Sequence, residues 1–277
     1  MLHKLIPASE FTIEELTYAY NQTRVDYLVP MPMNAKRLEE YVHHYDVDMD
    51  RSVVAMVRDE MLALGMLGVR PGRAWITRLG VLPASRRGGV GESIMRYMLA
   101  RADESGIPLN ILEVIKNNAP AHQLFLKCNF HETRELLILR RPPGSPKVLP
   151  KGQCRWMEQE EALRYLAFHP VPQAWTNHIE TYLNSGDVLG LYVEVNGSSG
   201  WMIFRCQKFI LTHFVMHTEA GDPQVVGLEL LRCLHQKFPM KDTYVENITV
   251  DDPQLPAMYA MGYIEAFRRI EMYRHVK

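Results

Sequence analysis

Between Arg141 and Gly152 the chain runs Arg141-Pro142-Pro143-Gly144-Ser145-Pro146-Lys147-Val148-Leu149-Pro150-Lys151-Gly152, with four prolines and two glycines in twelve residues. Proline fixes φ and lacks an N–H, so such a stretch propagates neither a helix nor a sheet ladder and reads as an extended connector. It divides the 277 residues into comparable parts. The expected organisation is a first domain over 1–141, a linker over 142–152 and a second domain over 153–277. The two parts repeat one order of elements. In the first, helical patterns at Phe11–Tyr20 and Asn34–Tyr45 precede strands at Ser52–Val57, Met61–Val69 and Ala74–Leu82. A helix with apolar positions Val90, Ile94, Met98, Leu99 and Ala102 follows, then a strand at Leu109–Ile115, a helix at Ala119–Lys127 and a strand at Thr133–Leu139. In the second, helical patterns at Gln159–Ala167 and Pro172–Asn184 precede strands at Val188–Val195, Trp201–Arg205 and Phe209–Met216. A helix at Val225–Lys237, a strand at Thr243–Val250, a short helix near Leu255–Met261 and a strand at Tyr263–Tyr273 complete it. Two successive α+β units, each a mostly antiparallel mixed sheet flanked by helices, are expected.

Bulk properties narrow the function. The 31 basic and 32 acidic side chains nearly cancel, which argues against a nucleic-acid backbone as main partner. Cys128, Cys154, Cys206 and Cys233 are too far apart for a zinc cage, and no metal is expected. The longest apolar run, Met61–Val69, is far short of the roughly 20 residues that cross a bilayer. No apolar signal segment follows Met1, so the expectation is a soluble, cytoplasmic protein without a membrane partner.

The strongest local signal is Val81-Leu82-Pro83-Ala84-Ser85-Arg86-Arg87-Gly88-Gly89-Val90-Gly91, where a strand opens through glycines and arginines into an amphipathic helix. Missing side chains let backbone N–H groups turn toward one point, and the helix start adds positive potential, so the loop suits a phosphate. A Walker loop would need Gly-Lys-Ser/Thr, which is absent. A dinucleotide fingerprint would need glycine where Ile94 stands.

Arg86-Arg87-Gly88-Gly89-Val90-Gly91 resembles the acyl-coenzyme A loop of the GNAT N-acyltransferase superfamily, Arg/Gln-x-x-Gly-x-Gly/Ala. Downstream, Leu112-Glu113-Val114 and Asn118-Ala119-Pro120-Ala121-His122-Gln123-Leu124-Phe125-Leu126-Lys127-Cys128-Asn129-Phe130 resemble that family's second signature. The resemblance implies tandem GNAT-like domains and acetyl-coenzyme A as cosubstrate. It implies that the backbone of Leu79 and Val81 pairs with the pantetheine arm. The N–H groups of Arg87, Gly88, Gly89, Val90, Gly91 and Glu92 would hold the pyrophosphate, assisted by the Arg86 side chain. Asn118 would position pantetheine or acceptor, and none of these contacts needs a metal ion.

Glu113 is notable without the family, because it interrupts an otherwise apolar strand face formed by Leu109, Ile111 and Ile115. Burial disfavours the charged form of a carboxylate, and a carboxylate so tuned suits a general base toward an amine. The rival reading is a carboxylate paired with a nearby arginine or lying at a splayed strand end. In ribosomal-protein N-terminal acetyltransferases of the superfamily, the matching Glu is the base and a Tyr twelve residues on protonates the leaving thiolate. Here that position is Phe125. Either the thiolate leaves unaided, or Tyr97, Cys128 or a tyrosine of the second half supplies the proton, or this half binds the cosubstrate without catalysing efficiently.

In the second half the matching loop reads Thr218-Glu219-Ala220-Gly221-Asp222-Pro223-Gln224, whose acids and proline are wrong for a pyrophosphate. This half is expected to lack a cofactor loop. Asp46, Asp48 and Asp50 form an acidic cluster that would attract a cationic amine or simply be solvated, and Trp175, His178 and Tyr182 read as a packing stripe. The combined expectation is an N-acetyltransferase acting on a primary amine in a ternary complex. The alternative is a non-catalytic acyl-coenzyme A sensor or scaffold. The acceptor and the oligomeric state are not legible.

Overall fold

The computed structural model describes residues 3–276. Packing divides the chain into two compact units, Met1–Arg134 with Ile270–Lys277, and Glu135–Arg269.

In the first unit, β1 (Lys4–Pro7) and a single 3-10 turn precede α1 (Ile13–Gln22) and α2 (Ala35–His44). Thr12 and Glu15 form a reciprocal capping box on α1, and the Asn34 side chain accepts from Arg37 N–H at 2.9 Å to cap α2. Strands β2 (Val47–Val57), β3 (Glu60–Arg70) and β4 (Arg73–Val81) follow, then α3 (Val90–Glu104), β5 (Leu109–Ile115) and α4 (Ala119–Lys127). The sheet runs β1-β2-β3-β4-β5, antiparallel except for the parallel β4–β5 pair. The predicted α3 stripe of Val90, Ile94, Met98, Leu99 and Ala102 is buried against it. Gly65 on β3 permits the close approach, because a Cβ there would lie 2.6 Å from Ile94 and 2.7 Å from Met98.

The second unit repeats the order with β7 (Gln153–Met157), α5 (Gln159–Ala167), α6 (Ile179–Ser185), β8 (Val188–Val195), β9 (Ser198–Cys206) and β10 (Ile210–Ala220). Then come α7 (Pro223–Lys237), β11 (Asp242–Thr249) and α8 (Leu255–Ala260). Its sheet runs β11-β10-β9-β8-β7, antiparallel except for the parallel β10–β11 pair. The mixed sheets with flanking helices are the two α+β units expected.

The compact units do not follow the expected borders at 141 and 153, and residues 142–152 hold neither helix nor strand. Each unit is completed by the last strand of the other half of the sequence. Strand β6 (His131–Arg141) begins in the first unit, but from Glu135 it belongs to the second, where it pairs antiparallel with β11. Strand β12 (Ile264–His275) begins in the second unit and from Ile270 belongs to the first, where it neighbours β5. Burial supplies the reason: Leu137 and Leu139 lie in the second unit's core, and Met272 lies in the first unit's core.

Candidate functional site

Strands β4 and β5 pair only from Arg73↔Leu109 to Ile76↔Leu112, although β4 continues to Val81 and β5 to Ile115. Beyond Ile76 the two strands part. A register shift between Leu64 and Met66 on β3 marks the same place, and Arg78 adopts φ +52 there. A non-glycine residue in the left-handed region is strained, and such strain concentrates at functional sites. Leu82 N–H bonds back to Leu62 C=O on β3 at 2.8 Å. By the alternation of an antiparallel ladder, the backbone polar groups of Val81 and Leu79 then face the opening. Their carbonyls meet two arginines: Arg24 Nη2 donates to Leu79 O at 3.1 Å, and Arg86 Nε to Val81 O at 3.2 Å.

The glycine loop ends at this opening. Arg87 and Gly89 are left-handed, at φ +65 and +78, on either side of Gly88. Such alternation points successive N–H groups to one side. Gly89 is the N-cap of α3 and no side chain caps it. The first intrahelical bond runs from Ser93 N–H to Gly89 C=O at 3.0 Å, so the N–H groups of Val90, Gly91 and Glu92 precede it. A Cβ at Gly89 would meet nothing within 4 Å, whereas one at Gly91 would touch Val81 and Leu124 at 3.4 Å. Val90 is buried in the core and anchors the turn. Arg87, Gly88 and Gly89 are exposed. Glu92 turns to Arg96 at 2.6 Å, which holds its carboxyl below the usual range.

Arg86 behaves otherwise than the resemblance implied. Its guanidinium makes a two-pronged ion pair with Asp26, at 2.6 and 2.7 Å, and also donates to Thr23 O at 3.3 Å. That hydrogen-bonded pair lowers the Asp26 pKa. In this arrangement Arg86 fastens the segment after α1 to the loop. Asn118 is the N-cap of α4, but its side chain makes no capping bond.

Glu113 is the first β5 residue beyond the paired region. Its flanking residues Leu112 and Val114 face the core, so its side chain lies on the opposite face, half-buried. There it accepts from the buried indole of Trp75 at 2.8 Å. Trp75 lies against Tyr41 and Tyr45, with ring centroids 6.1 and 5.7 Å away. The Tyr41 hydroxyl meets Thr77 Oγ1 at 2.5 Å, and burial pushes its pKa up to about 12, with the Glu113 charge adding a smaller push. Strand β12 contributes to this face too. Val276 N–H bonds to Pro108 C=O at 2.9 Å, so β12 ends where β5 begins and the two run antiparallel. Met272 faces the core, which puts Glu271 and Tyr273 on the Glu113 face. Glu271 pairs with Arg134 at 2.6 Å, and burial raises the Tyr273 pKa to about 12, the Glu113 charge adding to it.

The opening thus gathers Leu79, Val81, the 86–92 loop and Glu113. Local reading missed Trp75, Tyr41, Arg24, Arg78 and Tyr273, which arrive from elsewhere in the fold. Phe125 is buried, 6.4 Å from the Phe130 ring. Of the substitutes considered for it, Tyr97 lies against Arg101, 5.0 Å from its ring, and burial raises the Cys128 pKa. The acidic cluster is structural in part: Asp46 holds the buried Arg70 at 2.7 Å, and Asp48 pairs with Arg51. Of the expected packing stripe, Trp175 and Tyr182 are buried, while His178 is half-buried and meets Glu180. Among the described residues, no cluster of His, Cys, Asp or Glu is placed to hold a metal ion, and no helix is long and apolar enough to cross a membrane.

In the second unit β10 and β11 also part, after Thr212↔Tyr244, with His213 left-handed at φ +56. The residue beyond the last pair is Val245, which faces the core, so the face that carries Glu113 in the first unit carries Tyr244 and Glu246 here. At the helix start the Asp222 side chain accepts from Gln224 N–H at 2.8 Å, Asp222 N–H donates to Ser198 Oγ at 3.2 Å, and Pro223 has no N–H.

Residues 13–130 match the sequence profile of the acetyltransferase (GNAT) family. No curated protein matches the sequence. Among solved structures, a tandem GNAT protein from the clavulanic acid biosynthesis pathway is 12% identical with a TM-score of 0.68, covering 99% of this chain and 98% of that one. A GCN5-related N-acetyltransferase from Sphaerobacter thermophilus is 13% identical with a TM-score of 0.64, covering 99% and 95%. One from Anabaena variabilis is 13% identical with a TM-score of 0.59, covering 100% and 73%. At these identities the likeness concerns the fold, and it extends over both halves. Residues 13–130 thus match the GNAT acetyltransferase family, and the fold of both halves is that of solved GNAT structures, a tandem one among them.

Proposed function

We propose that the protein transfers the acetyl group of acetyl-coenzyme A to a primary amine, by direct attack in a ternary complex formed in its first unit. Family and fold support the coarser class of N-acyltransferase. The observation that carries the finer reading is the parting of β4 and β5 beside an uncapped helix start. The open β4 edge suits an extended pantetheine arm added like a strand at Leu79 and Val81. The N–H groups of residues 87–92 suit its pyrophosphate. Asn118, with no capping bond to hold it, is available to position the arm or the acceptor.

In this reading Glu113 takes the proton from the incoming ammonium, directly or through a water, and Trp75 N–H holds its carboxylate in place. The amine nitrogen then attacks the thioester carbonyl, the N–C bond forms, the C–S bond breaks, and the surplus proton on nitrogen passes to water. The sulfur departs as a thiolate with an ordinary pKa near 8.5, or takes a proton from Tyr273 on the same face.

Phe125, which offers no proton, favours the second reading of a non-catalytic acyl-coenzyme A sensor or scaffold. Calorimetric titration with acetyl-coenzyme A, followed by an amine screen for free thiol release, tests both. One site per chain with turnover supports the transferase, and one site without turnover supports the sensor. No binding removes both.

A further inference from the structure

Within the second unit, helix α7 and strand β7 meet along a matched stripe. On α7, Glu229, Cys233 and Lys237 stand four residues apart on one face, advancing about 6 Å per step. On β7, Cys154 and Trp156 point to the same side, about 6.7 Å apart along the strand. The two rows pair off in order. Where the chain enters β7, the buried Glu229 carboxylate accepts from the N–H groups of Lys151 and Gly152. At the far end, Lys237 Nζ lies 3.9 Å over the Trp156 ring. Between these contacts Cys154 stands over Cys233, and the Cys233 thiol donates a hydrogen bond to the Cys154 sulfur. Both ends of the stripe are fixed. A Cβ on Gly152 would fall 2.3 Å from Glu194 O, and Trp156 packs against the second unit's core.

The two sulfurs differ in access. Cys154 is exposed on β7, the last strand in the sheet order, and lines a cavity of about 390 Å³ with Arg155, Tyr192 and Glu194. A small oxidant therefore reaches it from solvent. Cys233 sits behind it, only 4% exposed. Both are free thiols. The hydrogen bond from Cys233 lowers the Cys154 pKa, and the Lys237 charge pulls the same way against burial and the Glu229 charge. That same bond raises the pKa of Cys233, with burial adding to it. The thiolate is the form that attacks a peroxide, so the exposed sulfur is the one set up to react first. The buried thiol is then already in contact with the product.

We propose that Cys154 and Cys233 form a reversible oxidation site, at which a hydroperoxide joins them in a disulfide that ties β7 to α7. It stands apart from the transferase reading and does not depend on it. With hydrogen peroxide, the Cys154 thiolate attacks one oxygen, the S–O bond forms and the O–O bond breaks. The departing hydroxide takes up the proton that the thiol released, leaving Cys154 as a sulfenic acid. The Cys233 sulfur then attacks the Cys154 sulfur, the S–S bond forms and the S–O bond breaks. The hydroxyl leaves as water with the Cys233 proton. Two thiols lose one electron each, one peroxide becomes two waters, and a dithiol reverses the change by exchange. The test treats the full-length protein with a slight excess of hydrogen peroxide at neutral pH. Thiols are then counted in denaturant and bridges mapped by non-reducing digestion. We expect the four thiols to fall to two, a Cys154–Cys233 linked peptide, and recovery of all four with dithiothreitol. Cys154→Ser should slow the thiol loss at least about tenfold, and Cys206→Ser should leave it unchanged. Cys233→Ser should leave a Cys154 sulfenic acid that dimedone traps. If that buried variant does not fold, Cys233→Ala replaces it, and the peptide map of the parent decides without either. Four thiols surviving, Cys154 driven to a sulfinic acid with no bridge, or a bridge between the Cys154 residues of two chains overturns the proposal.

Discussion

The β4–α3 and β10–α7 junctions occupy the same place in the repeated order but treat their backbone amides in opposite ways. At the first, glycines leave the loop and the helix start without a side-chain cap. At the second, Asp222 caps its own helix, Ser198 takes the next N–H, and a proline removes another. On the neighbouring strands Glu113 of the first unit accepts from Trp75, whereas Glu246 on the matching face of the second unit is held by Arg269 at 2.6 Å. A duplicated fold keeps its parting strands, bulge included, while the groups that would touch a thioester differ. The lesson is that the architecture alone does not make the site: the availability of backbone amides distinguishes the two copies.

The sharpest way to break this comparison is Gly89→Glu. Open space surrounds that position, so the fold loses only about 1–2 kcal/mol for the left-handed backbone. The new carboxylate meets the phosphates, and calorimetry should show acetyl-coenzyme A affinity falling at least about 100-fold. A second site surviving in this variant would put the cosubstrate in the second unit. Next in size is Glu113→Gln, expected to lower kcat about 100-fold near neutral pH while leaving acetyl-coenzyme A affinity nearly unchanged. A rate equal to the parent's would remove Glu113 from the mechanism.

The smallest expected effect concerns stability and separates the units by pH. Burial, with the Arg141 charge adding to it, depresses the His235 pKa to about 3, and the ring meets the Tyr263 hydroxyl at 2.8 Å. Unfolded, this histidine takes a proton near 6.5. Its stabilising contribution is therefore complete above pH 6.5 and is lost as pH falls from there toward 3. His235→Gln should flatten the fall in Tm between pH 6.5 and 4. An unaltered slope would assign the acid sensitivity to other groups.

Local features were legible in the sequence because local physics decides them. The α3 stripe, the Asn34 cap and the glycine loop depend on residues a few positions apart. Strands β1 and β7 were not foreseen: they have four and five residues, are mostly not buried, and show no apolar alternation. Helix α6 starts at Ile179 rather than Pro172, because a single 3-10 turn at Trp175–Asn177 intervenes. Within the candidate site, the loop and Glu113 stood out by residue type. The Arg86–Asp26 pair spans 60 positions and the Trp75–Glu113 bond 38, and nothing in the spacing announces either. Nor did the apolar run Leu136–Leu139 disclose which core would take it, since burial patterns say that a residue is inside without saying inside what.

That ambiguity has a consequence for how the molecule is made. The first unit includes Ile270–Lys277, so its sheet lacks the strand beside β5 until all of Glu135–Arg269 has left the ribosome. Until then the edge of β5 stands bare, a template for any passing strand. Closing so long an interval of chain is slow, because the entropy of the loop is lost before its contacts are gained. Cutting the gene at the proline-rich connector would leave each product short of a strand encoded by the other. Two such fragments mixed in one tube would have reason to find each other.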